Sequence, residues 1–193
     1  MTENLIGKIE EYLEEQFLHD KKRLEHIHSV MQKALELGEI FRVSKDKITI
    51  ASLLHDATKK LSFPENYSMA RIIFAEETIK HSPKPCLHAY SATALAKIKF
   101  KIDDEEILNA IAYHCSGRRN MGILEKIIYI ADYIEETRTF IVDEEIKNSS
   151  KVDLDRTVYL IMKETEHYLK EHNRPLAKDT LEAIEAYESK GGF

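Results

Sequence analysis

Apolar residues recur along this chain at intervals of three and four, the period of helices that bury one face. Leu5, Ile9, Tyr12, Leu13 and Phe17 form such a stripe, with Thr2 placed to cap it, so a first helix is expected over 2–17. Asp20 opens a second helix carrying Leu24, Ile27, Met31, Ala34 and Leu35, expected to end near Gly38. Ser44 or Asp46 begins a third, whose apolar run from Ile50 to Leu54 leads into His55-Asp56. Pro64 marks a break or a helix start, and Tyr67 to Ile79 reads as one helix with Ile72, Ile73, Ala75 and Ile79 apolar. The clearest connector is His81-Ser82-Pro83-Lys84-Pro85, because each proline biases its predecessor away from helix.

The next helix contains Leu87, His88, Ala92, Leu95, Ala96 and Ile98. Asp103 is expected to cap a helix running through Ile107 to Tyr113, and Met121 to Glu136 is a strongly amphipathic helix. Asp153 or Asp155 opens a long helix through Tyr168. Asn173-Arg174-Pro175-Leu176-Ala177 is a loop, and Asp179 caps a last helix with Glu182 supporting its N-terminus. Gly191-Gly192-Phe193 is expected to fray. Neither a repeat nor a linker interrupts the pattern. The expectation is a single all-α helical bundle over 1–193 with roughly eight to ten helices, its core about 20–187 and the 2–17 helix packed on it.

Composition narrows the function classes. Only six Gly and four Pro argue against a turn-rich β architecture. A formal net charge of -6 argues against non-specific nucleic-acid binding, though it leaves room for a local cationic cluster. Two cysteines, Cys86 and Cys115, make neither a disulfide framework nor a Cys-x-x-Cys zinc site. The acidic start lacks a signal-peptide pattern and no run is long enough to cross a bilayer, so a cytoplasmic protein without a membrane partner is expected.

The chemistry centres on His55-Asp56, an imidazole and a carboxylate at the end of an apolar run. His26 and His28 precede the dyad; His88, His114 and Asp132 follow, in separate apolar segments. Imidazoles and carboxylates carried on separate helices can converge on one or two divalent metals. His28 is the weakest candidate, because residues two apart on a helix face different sides. Asp132 interrupts Ile127-Ile128-Tyr129-Ile130-Ala131, where an unpaired carboxylate is costly to bury; the bland alternative is a wet face or a pair with Lys126 or Arg138. His19, His81, His167 and His172 read as surface residues, and Cys115 as an inert packing or loop thiol. Lys59, Arg118, Arg119 and Arg138 are either solvated charges or groups that neutralise a polyphosphate beside the metals.

The order His26, His55-Asp56, Asp132 resembles the HD superfamily of metal-dependent phosphohydrolases, and His88 and His114 match its two-metal branch. Further matches are His55 to Lys59, His114 to Gly117, Leu124 to Glu135, Arg138, and Arg174 to Leu176. On these, the chain from about Arg23 to Tyr187 is similar to the YqeK-type symmetrical dinucleoside-tetraphosphate hydrolases. The resemblance implies that His26, His55, Asp56 and Asp132 hold one metal, and that Asp56 bridges to a second held by His88 and His114. It implies iron as the usual metal. It places Lys59, Ser116 and Arg138 toward phosphates, with Asp56 and Lys59 as catalytic groups. It sets Asn173, Arg174, Pro175, Leu176 and Ala177 along the nucleoside. The chain departs from the family at Ala89, where Gly is common, at Cys115 and Ser116, where Thr is common, and at Glu136 or Thr137, where Pro is common.

The expected reaction is two-metal hydrolysis, a water of lowered pKa attacking phosphorus in line with the leaving oxygen. The expected substrate is diadenosine tetraphosphate cut to two ADP. The rivals are an HD-type phosphohydrolase acting on a nucleoside phosphate or cyclic dinucleotide, and a nucleotide-sensing module without turnover. The expected partner is a dinucleoside polyphosphate or another nucleotide, with no nucleic acid, and with a homodimer left open.

Overall fold

The structure, a computed structural model, describes residues 2–189; the expected fraying at Gly191-Gly192-Phe193 lies outside them. Among the described residues there is no strand, and eleven α-helices follow one another: α1 (Thr2–Gln16), α2 (Lys21–Phe41), α3 (Lys45–Leu54), α4 (Phe63–Ala70), α5 (Glu76–Lys80), α6 (Leu87–Ile98), α7 (Glu105–Tyr113), α8 (Ile123–Ile134), α9 (Glu144–Ser149), α10 (Leu154–Glu171) and α11 (Lys178–Ser189). None is long and apolar enough to cross a membrane.

The fold is organised around α8, whose Ile127, Ile128, Ile130 and Ala131 are all fully buried. α2, α7 and α10 pack on α8; α3 fills the space between α2 and α7; α6 lies between α4 and α7. Polar side chains set the ends. Asp20 accepts from the Arg23 amide at 3.2 Å, and Asp153 accepts from the Arg156 amide at 3.0 Å. Ser62 and Glu65 form a reciprocal cap with Pro64 in the first turn of α4. Every residue from Ala51 to Thr58 is buried, so α3 delivers His55-Asp56 into the interior rather than onto a surface.

Several expected boundaries move. α2 does not stop at Gly38 but runs to Phe41, and Arg42 closes it in the left-handed region at φ 58°. Gly38 serves packing instead: a Cβ there would lie 2.0 Å from Cδ1 of the fully buried Ile48. The single helix expected from Tyr67 to Ile79 is two short ones. After Ala70 the chain turns so that Phe74 packs on Tyr90, ring centroids 4.6 Å apart, and Ile72 is left 62% exposed. The proline connector contains one 3₁₀ turn, Lys84–Cys86. The cap of α7 is Asp104, not Asp103, its carboxylate accepting from the Glu106 and Ile107 amides. α8 starts at Ile123 rather than Met121 and ends at Ile134 rather than Glu136. Asp179 lies within the first turn of α11 instead of capping it, and accepts from the Tyr90 hydroxyl at 3.3 Å. α9, capped by Asp143, was not expected, which with the split helix brings the number above ten.

Candidate metal centre

Six side chains from five places in the chain meet at the inner ends of these helices. His26 comes from the second turn of α2, and His55 and Asp56 from the end of α3. There the backbone tightens into successive turns, with Ala57 N–H to Leu54 O at 3.1 Å and Lys59 N–H to Asp56 O at 2.9 Å. His88 stands in the first turn of α6, His114 just past α7, and Asp132 near the end of α8.

Asp56 is the hub. Its Oδ1 lies 2.8 Å from His88 Nε2 and 3.6 Å from His114 Nε2. Its Oδ2 lies 3.6 Å from His26 Nε2 and 3.9 Å from His55 Nε2. Asp132 Oδ1 joins the second pair, 3.2 Å from His26 Nε2 and 3.9 Å from His55 Nε2. Each oxygen of one carboxylate thus faces a different pair of histidines. His26, His55 and Asp56 form one group able to hold a metal ion, and Asp56, His88 and His114 form another.

The rings are turned by their outer nitrogens. Nδ1 of His55 lies 2.5 Å from Ser52 O, that of His88 2.7 Å from Pro85 O, and that of His114 2.8 Å from Ile111 O. His26 Nδ1 is 3.0 Å from Glu135 Oε1. Carbonyl and carboxylate oxygens only accept, so each Nδ1 donates and each Nε2 turns a lone pair inward. His88 Nε2 and His114 Nε2 stand 3.1 Å apart, where two lone pairs repel unless a proton or a cation lies with them. His55 Nε2 and Asp56 Oδ1 are buried without a hydrogen bond. A donor set of this kind fits divalent metal ions.

Electrostatics keep both carboxylates charged and, through burial, His55 and His88 neutral; burial also lowers His26 and His114, but the Asp132 and Asp56 carboxylates outweigh it and raise both toward a protonated form that a metal would displace. Burial pushes His55 down to about 3, so its ring is neutral. Burial alone would raise the Asp56 carboxyl, but His88, His55 and Lys59 outweigh it and hold it well below the usual carboxylate range. Asp132 is likewise held far down against burial, by His26 and Arg138.

A buried polar network fixes the spacing of the two halves. Thr58 Oγ1 donates to His88 O at 2.9 Å, Ser91 Oγ bonds Asn66 Oδ1, and Asn66 Nδ2 donates to Leu61 O at 2.8 Å. These bonds tie the turn after Asp56 to the helix that carries His88.

Of the four expected cations, Lys59 and Arg138 lie at the cluster, while Arg119 lines a separate pocket with Lys126 and Asp155. Lys59 Nζ lies 3.1 Å from His88 Nε2 and 3.6 Å from Asp56 Oδ1. Arg138 donates through Nη2 to Asp132 Oδ1 at 2.5 Å and through Nε to Asp132 O at 2.8 Å. Lys126, the other bland partner considered for Asp132, instead binds Asp155 at 2.6 Å. Arg118 is committed to Glu125, with two bonds of 2.8 Å, and stacks over Tyr113. Ser116 is buried; its hydroxyl donates to Gly117 O at 3.0 Å, and its carbonyl accepts from Thr180 at 2.7 Å. In the loop, Asn173 is left-handed at φ 50°, Asn173 to Pro175 are exposed, and Leu176 and Ala177 turn inward. His28 lies outside the cluster, bonded to Glu10 at 3.0 Å, and His19, His81, His167 and His172 are exposed. Cys115 is half-buried, its Sγ 2.8 Å from that of Cys86.

Two neighbours of the cluster carried no assigned role in the sequence. Arg23 Nη1 reaches Asp56 Oδ2 at 2.5 Å, and Glu135 orients His26. Their signal was helical spacing: Arg23 is three before His26 and Glu135 three after Asp132, so each shares its neighbour's face.

A wholly helical body with histidines and aspartates gathered between its helices is the arrangement of a metal-dependent phosphohydrolase of the HD class. The HD domain family matches residues 23–137, and the chain belongs to it. Its relatives narrow the class. The chain is 36% identical to a Bacillus subtilis protein named bis(5'-nucleosyl)-tetraphosphatase, symmetrical, over 81% of this chain and 84% of that one. A Halalkalibacterium halodurans protein of the same name is 32% identical, over 82% and 85%. The chain belongs to the family of these tetraphosphatases. A Clostridium acetobutylicum crystal structure, described as a predicted HD superfamily hydrolase involved in NAD metabolism, matches with a TM-score of 0.86 and 34% identity, over 95% of this chain and 97% of that one.

Proposed function

We propose that this chain is a metal-dependent hydrolase that cuts diadenosine tetraphosphate in the middle and releases two molecules of ADP. The observation that carries the reading is Asp56, one carboxylate whose two oxygens face two separate histidine pairs. The names of the curated relatives support the substrate.

His26, His55, Asp56 and Asp132 would hold one ion, and Asp56, His88 and His114 the second. We assign iron, which the family resemblance implies and which imidazole with carboxylate suits. When bound, two such ions supply a water acidified for attack at neutral pH and neutralise charge on the phosphates. The chain supplies the rest. Lys59 and Arg138 have side chains 33% and 31% exposed, so both can leave their carboxylate partners for the non-bridging oxygens of a phosphate. The Asn173 to Ala177 loop, with Ser116 tied to α11 through Thr180, borders the nucleoside of one half.

Glu135 holds the ring of His26 from behind. Glu135→Gln is expected to weaken metal binding about 10- to 100-fold, as loss of a ligand-orienting partner does. Competition against a calibrated chelator measures it. An unchanged affinity would mean that His26 is not a ligand or needs no orientation.

The reading itself is tested by incubating purified, metal-loaded protein with a panel of nucleotides and separating the products. Diadenosine tetraphosphate is expected to be the preferred substrate and ADP the sole product. ATP plus AMP would contradict the cleavage position, and preferred turnover of a cyclic dinucleotide or nucleoside monophosphate would contradict the substrate.

A further inference from the structure

Beside the candidate metal centre lies a cleft of 360 Å³ between the first turn of α2 and the segment that follows α8. That is within the range of small-ligand sites. His26 lines it, so it opens onto the cluster, and Lys22, Arg23, Lys60, Arg138 and Phe140 line it too. The cleft's acidic groups are already engaged. Asp20 pairs with Lys60 at 2.6 Å, and Glu135 binds His26 and Thr137. Lys22 has no ion-pair partner among the described residues.

Arg23 points to a ligand. Its Nη1 donates to Asp56, but its Nε is buried with no acceptor. The Arg23 side chain lines the cleft and is 27% exposed, and a guanidinium offers parallel donors matched to phosphate oxygens, so it can bind an anion that enters there. Phe140 is 45% exposed, and its ring is steadied by Tyr133, centroids 5.2 Å apart. A fixed, exposed aromatic ring is a stacking platform for a base.

We propose that this cleft holds one nucleoside diphosphate half of the substrate, with its phosphates on Arg23 and Lys22 and its base on Phe140. The proposal rests on the hydrolase reading above. The substrate has a nucleoside and two phosphates on each side of the central bond, and its ends must leave the centre in different directions. One end goes toward the start of α11, which Thr180 ties to the turn after His114. The other leaves past His26 into this cleft.

The test compares diadenosine tetraphosphate with adenosine 5'-tetraphosphate, which lacks the second nucleoside. Phe140→Ala is expected to lower the kcat/KM preference for the dinucleotide about tenfold, a modest stacking loss, and Phe140→Tyr to restore it. Equilibrium binding of a dinucleotide analogue with a methylene at its central bridge should weaken about tenfold in Phe140→Ala. Unchanged preference and unchanged analogue binding would overturn the proposal while leaving the hydrolase reading in place. A wild-type protein that does not convert diadenosine tetraphosphate to ADP would overturn that reading, and this proposal with it.

Discussion

Asp56→Ala is expected to release most of the bound metal and to lower kcat by at least about 10³-fold. Its carboxylate lies within 4 Å of all four histidine Nε2 atoms of the cluster, closest to His88 at 2.8 Å and farthest from His55 at 3.9 Å. Removing it takes one ligand oxygen from each group at once. It also leaves the Arg23 guanidinium and Lys59 facing the centre without their counter-charge, which further repels cations. Asp56→Asn is the control for shape. The amide keeps the volume but not the charge, so it too should lose metal. Elemental analysis of the purified variants and single-turnover kinetics read both effects. Wild-type metal content in Asp56→Ala would remove the bridging role.

The next largest effect concerns phosphate recognition. Lys59→Ala and Arg138→Ala should each lower kcat/KM by a factor corresponding to about 2 to 4 kcal/mol, the cost of a lost charge-assisted contact to a developing anion. The structure sharpens the expectation for metal content. Both cations sit against proposed ligands, Lys59 beside His88 and Asp56, and Arg138 on Asp132. Cations so placed oppose metal binding, so their removal should leave metal content intact. Lys59 should act mainly through kcat, being nearest the bridge. Arg138→Ala also frees the Asp132 carboxylate, and its loss should appear more in KM. Wild-type kinetics in both variants would reduce them to surface charges.

The fold was legible because helix periodicity, capping residues and the scarcity of Gly and Pro all pointed the same way. What escaped was tertiary in origin. Gly38 looks like a helix stop until Ile48 is seen packed where its Cβ would be. The run from Tyr67 to Ile79 keeps a helical pattern, but the chain turns after Ala70 and Phe74 packs on Tyr90, a contact that spacing along the chain does not reveal. At the site, the residue types and their isolation in apolar segments put forward the six side chains that converge, together with His28, the weakest candidate, which lies outside the cluster on Glu10. The division of the six into two groups rested on a family resemblance, since spacing along the chain does not say which histidine meets which oxygen. Arg23 and Glu135 escaped notice because a charge at a helix end reads as solvated until the opposite helix is in place.

The proposed dinuclear centre is tested most directly by titrating metal into protein freed of it and following conversion of diadenosine tetraphosphate to ADP. The activity should be negligible without metal and should rise to its maximum as content reaches two ions per chain, on the order expected for a two-metal site. Full activity in metal-free protein, or a maximum reached at one ion per chain, would contradict it.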